Sequence, residues 1–149
     1  MEEIFNFHQL TLNVGTGGQP TIEQFSDIAE ANYAVVINMA MHDSDNAVPE
    51  EGNIVASLGM TYVHIPVPFD APTANHLSKF FKIMDSFEGE KIFVHCVANF
   101  RVSAFMHQYL TLKKGIPSEQ ATSPVLRTWP PRMSDVWKSL LELKIGDIK

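Results

Sequence analysis

Residues Ile92 to Leu110 read IFVHCVANFRVSAFMHQYL. The apolar run at the front is short and continuous, which suits a strand buried on both faces. It ends in His95 and Cys96. Apolar residues then recur at Ala104, Phe105, Tyr109 and Leu112, the spacing of a helix running from Val102 to Lys114 with Gly115 past its end. Cys96 is the only cysteine in the chain, and it stands where the strand gives way to the helix, ahead of Arg101 and Ser103.

The same reading extends outward on both sides. Tyr33–Ala40 (YAVVINMA) and Met60–Val67 (MTYVHIPV) are further short apolar runs, and Leu10–Val14 (LTLNV) is a weaker one. Between them lie helical patterns. Thr21 and Gln24 have capping-box spacing, ahead of an apolar stripe of Ile22, Phe25, Ile28 and Ala29. Glu50–Leu58 is a short helix stopped by Gly59. Thr73 caps a helix that carries Leu77, Phe80, Phe81, Met84 and Phe87 on one side and closes at Gly89. Gly15–Pro20 (GTGGQP) reads as a loop by its glycines and proline. Two short C-terminal helices flank TWPPR, the last docked by Val136, Trp137, Leu140 and Leu141. Strands alternating with helices predict one α/β domain over residues 1–149. Its central sheet is mainly parallel, with four to five strands and helices on both faces in three layers. In such sheets ligands bind beyond the carboxyl ends of the strands, where Asp43, Asp70 and Cys96 all fall.

The bulk numbers agree with a single domain. The chain has 149 residues, is 45% hydrophobic and carries a net charge of −6. That balance argues against nucleic acid or an anionic membrane as a partner. One cysteine excludes a disulfide framework and suits a reducing compartment, so a cytoplasmic location is expected. The first residues, MEEIFNFHQL, are neither a signal peptide nor a spanning segment. His8, His42, His64, His76, His95 and His107 form no His-x3-His pair, so no metal site is expected. Gly15–Gly18 lacks the spacing of a dinucleotide fingerprint.

The strand–loop–helix junction can do chemistry. N–H groups in the first turn of a helix lack intrahelical partners, and the helix dipole places about half a positive charge there. A loop entering such a helix binds anions, and cysteines so placed serve as thiolate nucleophiles. Arg101 can clamp two oxygens of a tetrahedral oxyanion. Asn99 tolerates the positive φ that a tight turn needs, and Ser103 can donate to the sulfur. A small buried core cysteine would fit the strand end equally well. The company of Arg101 and Ser103 favours a site. His95, next to Cys96 on a strand, points the opposite way, so it orders the loop or packs in the core rather than acting as base for the thiol. Trp129, beside two prolines, is a candidate pocket wall, and Trp137 reads as packing.

VHCVANFRVSAF resembles the signature loop of the cysteine-dependent phosphatases, His-Cys-x5-Arg-Ser/Thr. GGQPTIEQF, VVINMA, GMTYVHIPV, DAPT and the later TWPP…VW extend the likeness to the DUF442 subgroup of the dual-specificity-like protein tyrosine phosphatase superfamily. The resemblance implies phosphate-monoester hydrolysis through a cysteinyl-phosphate on Cys96, without a cofactor, on a phosphorylated protein or small molecule. Val97, Ala98, Asn99, Phe100, Arg101 and Ser103 would bind the phosphoryl group. Asp70 would be the general acid, with Asp43 and Asp45 in reserve, and Gln19 would border the pocket. The chain departs from the pattern in two places: four residues, not five, separate Cys96 from Arg101, while Ser103 keeps its usual position, and Asn99 replaces the glycine usually found three residues after the cysteine. Either the arginine has moved one place within a loop of normal length, or the loop is shorter. The shorter spacing resembles that of rhodanese-type sulfurtransferases, and DUF442-like domains occur fused to modules associated with sulfide handling. Sulfur transfer through a Cys96 persulfide, or anion binding by a non-catalytic module with a redox-sensitive thiol, are therefore the alternatives.

Overall fold

The computed structural model describes residues 1–148. Two neighbouring parallel strands, β3 (Val35–Asn38) and β5 (Ile92–His95), sort the core into two layers. Successive side chains on a strand face opposite ways. Val35, Ile37, Ile92 and Val94 pack with Leu77, Phe80 and Met84 of α3 (Ala74–Ser86), Phe105 of α4 (Phe100–Gln108) and Trp137 of α6 (Asp135–Glu142). Val36 and Phe93 pack on the other side with Phe25 and Ile28 of α1 (Ile22–Glu30) and Val55 of α2 (Glu51–Ser57). Both faces of these strands are covered, which is why their sequences are apolar without alternation.

The sheet has five strands in the order β1-β2-β5-β3-β4, where β1 is His8–Gln9, β2 is Val14–Gly17 and β4 is Thr61–His64. All neighbours are parallel except β1, which runs antiparallel to β2. The α/β, three-layer expectation holds. So do the caps of α1 and α3: Thr21 and Thr73 each accept from the backbone N–H three residues on. Gly59 and Gly89 end their helices at positive φ. A further short helix, α5 (Pro124–Thr128), precedes α6. No helix among the described residues is long and apolar enough to cross a membrane.

Three segments differ from the sequence reading. The second strand is Val14–Gly17, not Leu10–Val14, so half of the expected glycine loop lies in the sheet. The glycines serve packing there. A Cβ on Gly17 would meet Ile4 and Phe93, each at 3.1 Å, and one on Gly18 would lie 2.5 Å from the Val97 carbonyl oxygen. Second, α4 starts at Phe100 rather than Val102 and passes after Gln108 into a wider π-type turn, Tyr109–Lys113. Tyr109 Oη donates to Asp85 Oδ1 at 2.7 Å, and Lys113 Nζ lies 3.2 Å from Asp85 Oδ2, so the turn is tied back to α3. Third, Ile22 and Val136, expected to face inward, are 52% and 36% exposed. Each stands near the start of its helix, where few neighbours cover it.

At the carboxyl edge of the sheet the ladder continues into the loops. Met39 N donates to His95 O, Ile65 N to Asn38 O, Val67 N to Met39 O and Gln19 N to Val97 O. The segments after β2, β3, β4 and β5 are thereby drawn together around Cys96.

Two outcomes follow. Gly18→Ala pushes a methyl group into a main-chain carbonyl that cannot rotate away, and should cost about 1–3 kcal/mol, read as a lower urea midpoint; an unchanged midpoint would contradict this packing. Tyr109→Phe should lower stability most between the ordinary carboxylate and phenol ranges. The hydrogen bond from Tyr109, aided by Lys113, holds the Asp85 carboxyl below its usual value, so its contribution fades as pH falls through that lowered value. Burial, then the Asp85 carboxylate, pushes the Tyr109 phenol well up, so its contribution is complete below the ordinary phenol value and fades as pH rises above it. Thermal midpoints of both proteins across pH check this, and a deficit that does not vary with pH would refute it.

Candidate active site

The turn between β5 and α4 is held from behind by a buried side chain. Asn99 sits at φ 71° and ψ 8°, in the left-handed region that asparagine tolerates better than most residues. Its Nδ2 donates to Asn6 O at 2.9 Å and to Thr16 Oγ1 at 3.1 Å, and its Oδ1 accepts from Ser103 Oγ at 3.1 Å. Ser103 in turn accepts from Ser123 Oγ at 2.6 Å. The serine expected to face the sulfur is instead one link in a chain beneath the turn.

The first peptides of the loop are also fixed from outside. The Val97 carbonyl accepts from Gln19 N at 3.0 Å, and the Ala98 carbonyl from Asn6 Nδ2 at 3.0 Å. In a trans peptide the N–H points opposite to the C=O. The Ala98 N–H is therefore turned away from Gln19. Among the described residues the N–H groups of Val97, Ala98, Phe100 and Arg101 have no acceptor. They line the loop that opens a helix, the arrangement that binds an anion.

Arg101 completes the enclosure. It is 6% exposed, and Nη1 donates to the Val67 carbonyl at 2.8 Å. Its guanidinium carbon lies 5.7 Å from the centre of the Phe69 ring. Nε is buried without a partner. A buried donor left unpaired costs about 1–3 kcal/mol, and more on a charged group. One edge of the guanidinium is thus anchored while the other is free to clamp an oxyanion in two places.

Cys96, Val97, Ala98, Phe100 and Arg101 line one cavity of about 240 Å³ together with Phe69. Phe100 and Phe69 are stacked on Trp129, with ring centres 5.0 Å and 5.9 Å away, and Trp137 Nε1 donates to Phe69 O at 2.7 Å. Trp129 thus backs the wall of the cavity without lining it. Because α4 begins at Phe100, Arg101 stands in its first turn and reaches the cavity from its shortened spacing; Val102 is buried in the core.

The remaining expectations fall outside the cavity. Asp70 is exposed on the turn next to Phe69 and does not line it. Asp43 and Asp45 are exposed in the loop after β3. Gln19 holds the back of the loop rather than bordering the cavity. Two residues carry more weight than the sequence reading gave them. Phe69 is a wall, signalled only by its place before Asp70. Glu51 is 5% exposed, with Oε2 2.6 Å from His95 Nε2 and Oε1 accepting from Gln19 Nε2 at 2.9 Å. Its place in a run of two glutamates at a helix start looks like ordinary capping charge. His95 does face away from Cys96: it packs edge-on to Phe25, in the opposite layer.

The profile of the family "DSP-PTPase phosphatase fused to NAD+ Kinase" matches residues 4–129. Among solved structures, a DUF442 candidate phosphatase from Shewanella putrefaciens CN-32 is 34% identical; the alignment covers 94% of this chain and 91% of that one, with a TM-score of 0.85. The core catalytic domain of the PP-IP phosphatase SIW14 from S. cerevisiae is 16% identical over 97% of this chain and 88% of its own, with a TM-score of 0.74. PTPMT1, solved in complex with PI(5)P, is 17% identical over 92% of each chain, with a TM-score of 0.72. The last two show a shared fold. No curated protein matches the chain. The profile match over most of the chain, and the agreement in sequence and fold with the Shewanella protein, show that this chain belongs to the DSP-PTPase phosphatase family, in its DUF442 subgroup.

Proposed function

We propose that this protein hydrolyses phosphate monoesters through a cysteinyl-phosphate on Cys96. The observation that carries the reading is the buried, unpartnered Nε of Arg101, a residue that lines one cavity with Cys96, together with main-chain N–H groups of the same loop that have no acceptor. That arrangement fits the equatorial oxygens of a transferring phosphoryl group, whose charge it would stabilise.

The Cys96 sulfur attacks phosphorus; the S–P bond forms as the ester P–O bond breaks, and the leaving oxygen takes the proton of the Asp70 carboxyl group. Water then attacks phosphorus and gives its proton to the Asp70 carboxylate. The S–P electrons return to sulfur and inorganic phosphate leaves. Asp70 is exposed one residue beyond the Phe69 wall, on a turn without a side-chain partner among the described residues, and to act as the acid it must be carried over the cavity by that turn. Arg101 is the one charged side chain of the lining, and the others besides Cys96 are apolar. This supports a substrate with a single phosphoryl group on an apolar or aromatic carrier over a polyphosphate.

Hydrolysis of an aryl phosphate tests the reading. Cys96→Ser should abolish turnover. Arg101→Lys, which cannot make the two-point clamp, should lower kcat/KM by about a hundredfold. Asp70→Asn should lower kcat by about a hundredfold for alkyl phosphates and less for aryl phosphates with good leaving groups. A wild-type protein inert toward phosphate esters but able to move sulfur from thiosulfate to cyanide would replace the hydrolase with a sulfurtransferase.

A further inference from the structure

Behind the loop runs a second set of contacts that starts at one buried carboxylate. His95 Nε2 lies 2.6 Å from Glu51 Oε2, and His95 Nδ1 lies 3.2 Å from the Cys96 carbonyl oxygen. Glu51 Oε1 accepts from Gln19 Nε2 at 2.9 Å, and the backbone N–H of Gln19 donates to the Val97 carbonyl at 3.0 Å. The circuit Cys96–His95–Glu51–Gln19–Val97 therefore closes on the carbonyls of the first two peptides of the loop. His95 is fully buried and Glu51 nearly so.

A carbonyl oxygen only accepts, so the ring holds Cys96 only with a hydrogen on Nδ1. That state also needs a proton in the 2.6 Å Nε2–Oε2 contact, on the imidazole or on the carboxylate. Without Glu51 the imidazole could place its single proton on Nε2 and release the Cys96 carbonyl. Holding the Cys96 and Val97 carbonyls on this side turns the N–H groups of Val97 and Ala98 to the other, because each peptide is trans.

We infer that Glu51 is a positioning residue of this site: through His95 and Gln19 it orients the first two peptides of the Cys96 loop so that their N–H groups face the bound oxyanion. This deepens the reading of Cys96 as the nucleophile and rests on it for the purpose of the loop, though not for the geometry. Glu51 touches neither the cavity nor the sulfur.

Three readouts test it. In the wild-type protein, nitrogen NMR of the His95 imidazole should show Nδ1 protonated; an unprotonated Nδ1 would overturn the inference. Glu51→Ala should weaken tungstate binding, measured by calorimetry, and lower kcat on an aryl phosphate, each by about tenfold or more. Glu51→Gln should keep both within about threefold of wild type, since its amide oxygen can accept from Gln19 and its NH2 group can donate to Nε2. A folded Glu51→Ala protein with wild-type tungstate affinity and kcat would overturn the inference, as would a loss in Glu51→Gln as large as in Glu51→Ala. If Glu51→Ala does not fold, the wild-type spectrum and Glu51→Gln decide. If the wild type hydrolyses no phosphate ester, the hydrolase reading falls alone, and tungstate binding and the spectrum still decide the role of Glu51.

Discussion

A peptide plane has two polar edges, and fixing one fixes the other. The Cys96 loop of this protein depends on that constraint. Gln19, Asn6 and His95 take carbonyls of the Cys96 loop from behind, and the N–H groups of Val97 and Ala98 are left for the front. Asn99 then turns the chain at positive φ so that α4 begins beside the cavity. No side chain of the loop except Arg101 supplies a charge. The loop is a shape made by its neighbours, and its donors are main chain.

The sheet exists in its present order to bring those neighbours together. β5 lies between β2 and β3, so the loop after it meets Gly18 and Gln19 on one side and Met39 on the other. Gly18 has no Cβ because the Val97 carbonyl occupies that space. The two core layers divide the work in the same way. Cys96 belongs to the layer of α3, α4 and α6, where the aromatic wall of Phe69, Phe100 and Trp129 stands. His95 belongs with α1 and α2, where Glu51 waits. Adjacent residues on one strand thus reach into different layers and support the same loop from opposite faces.

Most of the architecture was legible in the chain because buried parallel strands are apolar throughout and helices announce their caps. YAVVINMA and KIFVHC could hardly be anything else, and Thr21 and Thr73 mark their helices. Val14–Gly17 was not legible, since a strand chosen for the absence of side chains carries no apolar pattern; its reason lies in Ile4, Phe93 and Val97, which are distant in sequence. Cys96, Arg101 and the loop between them were nominated from residue type and spacing, and the structure brings them to one cavity. The inward turn of Ser103 toward Asn99, and the burial of Glu51, depend on which way a side chain faces. Periodicity over a helix as short as α2 does not settle that. Asp70 was nominated by its position in the chain, and the structure leaves it exposed on a turn outside the cavity.

The central claim is that an oxyanion sits on these main-chain donors with the free edge of Arg101 closing over it. A crystal structure of the protein with bound tungstate measures this directly. The account predicts the metal oxyanion above the Cys96 sulfur, its oxygens within hydrogen-bond distance of the Val97 and Ala98 N–H groups and of Arg101 Nε. Tungstate bound elsewhere, with that guanidinium nitrogen still unengaged and the cavity over Cys96 empty of it, would contradict the account.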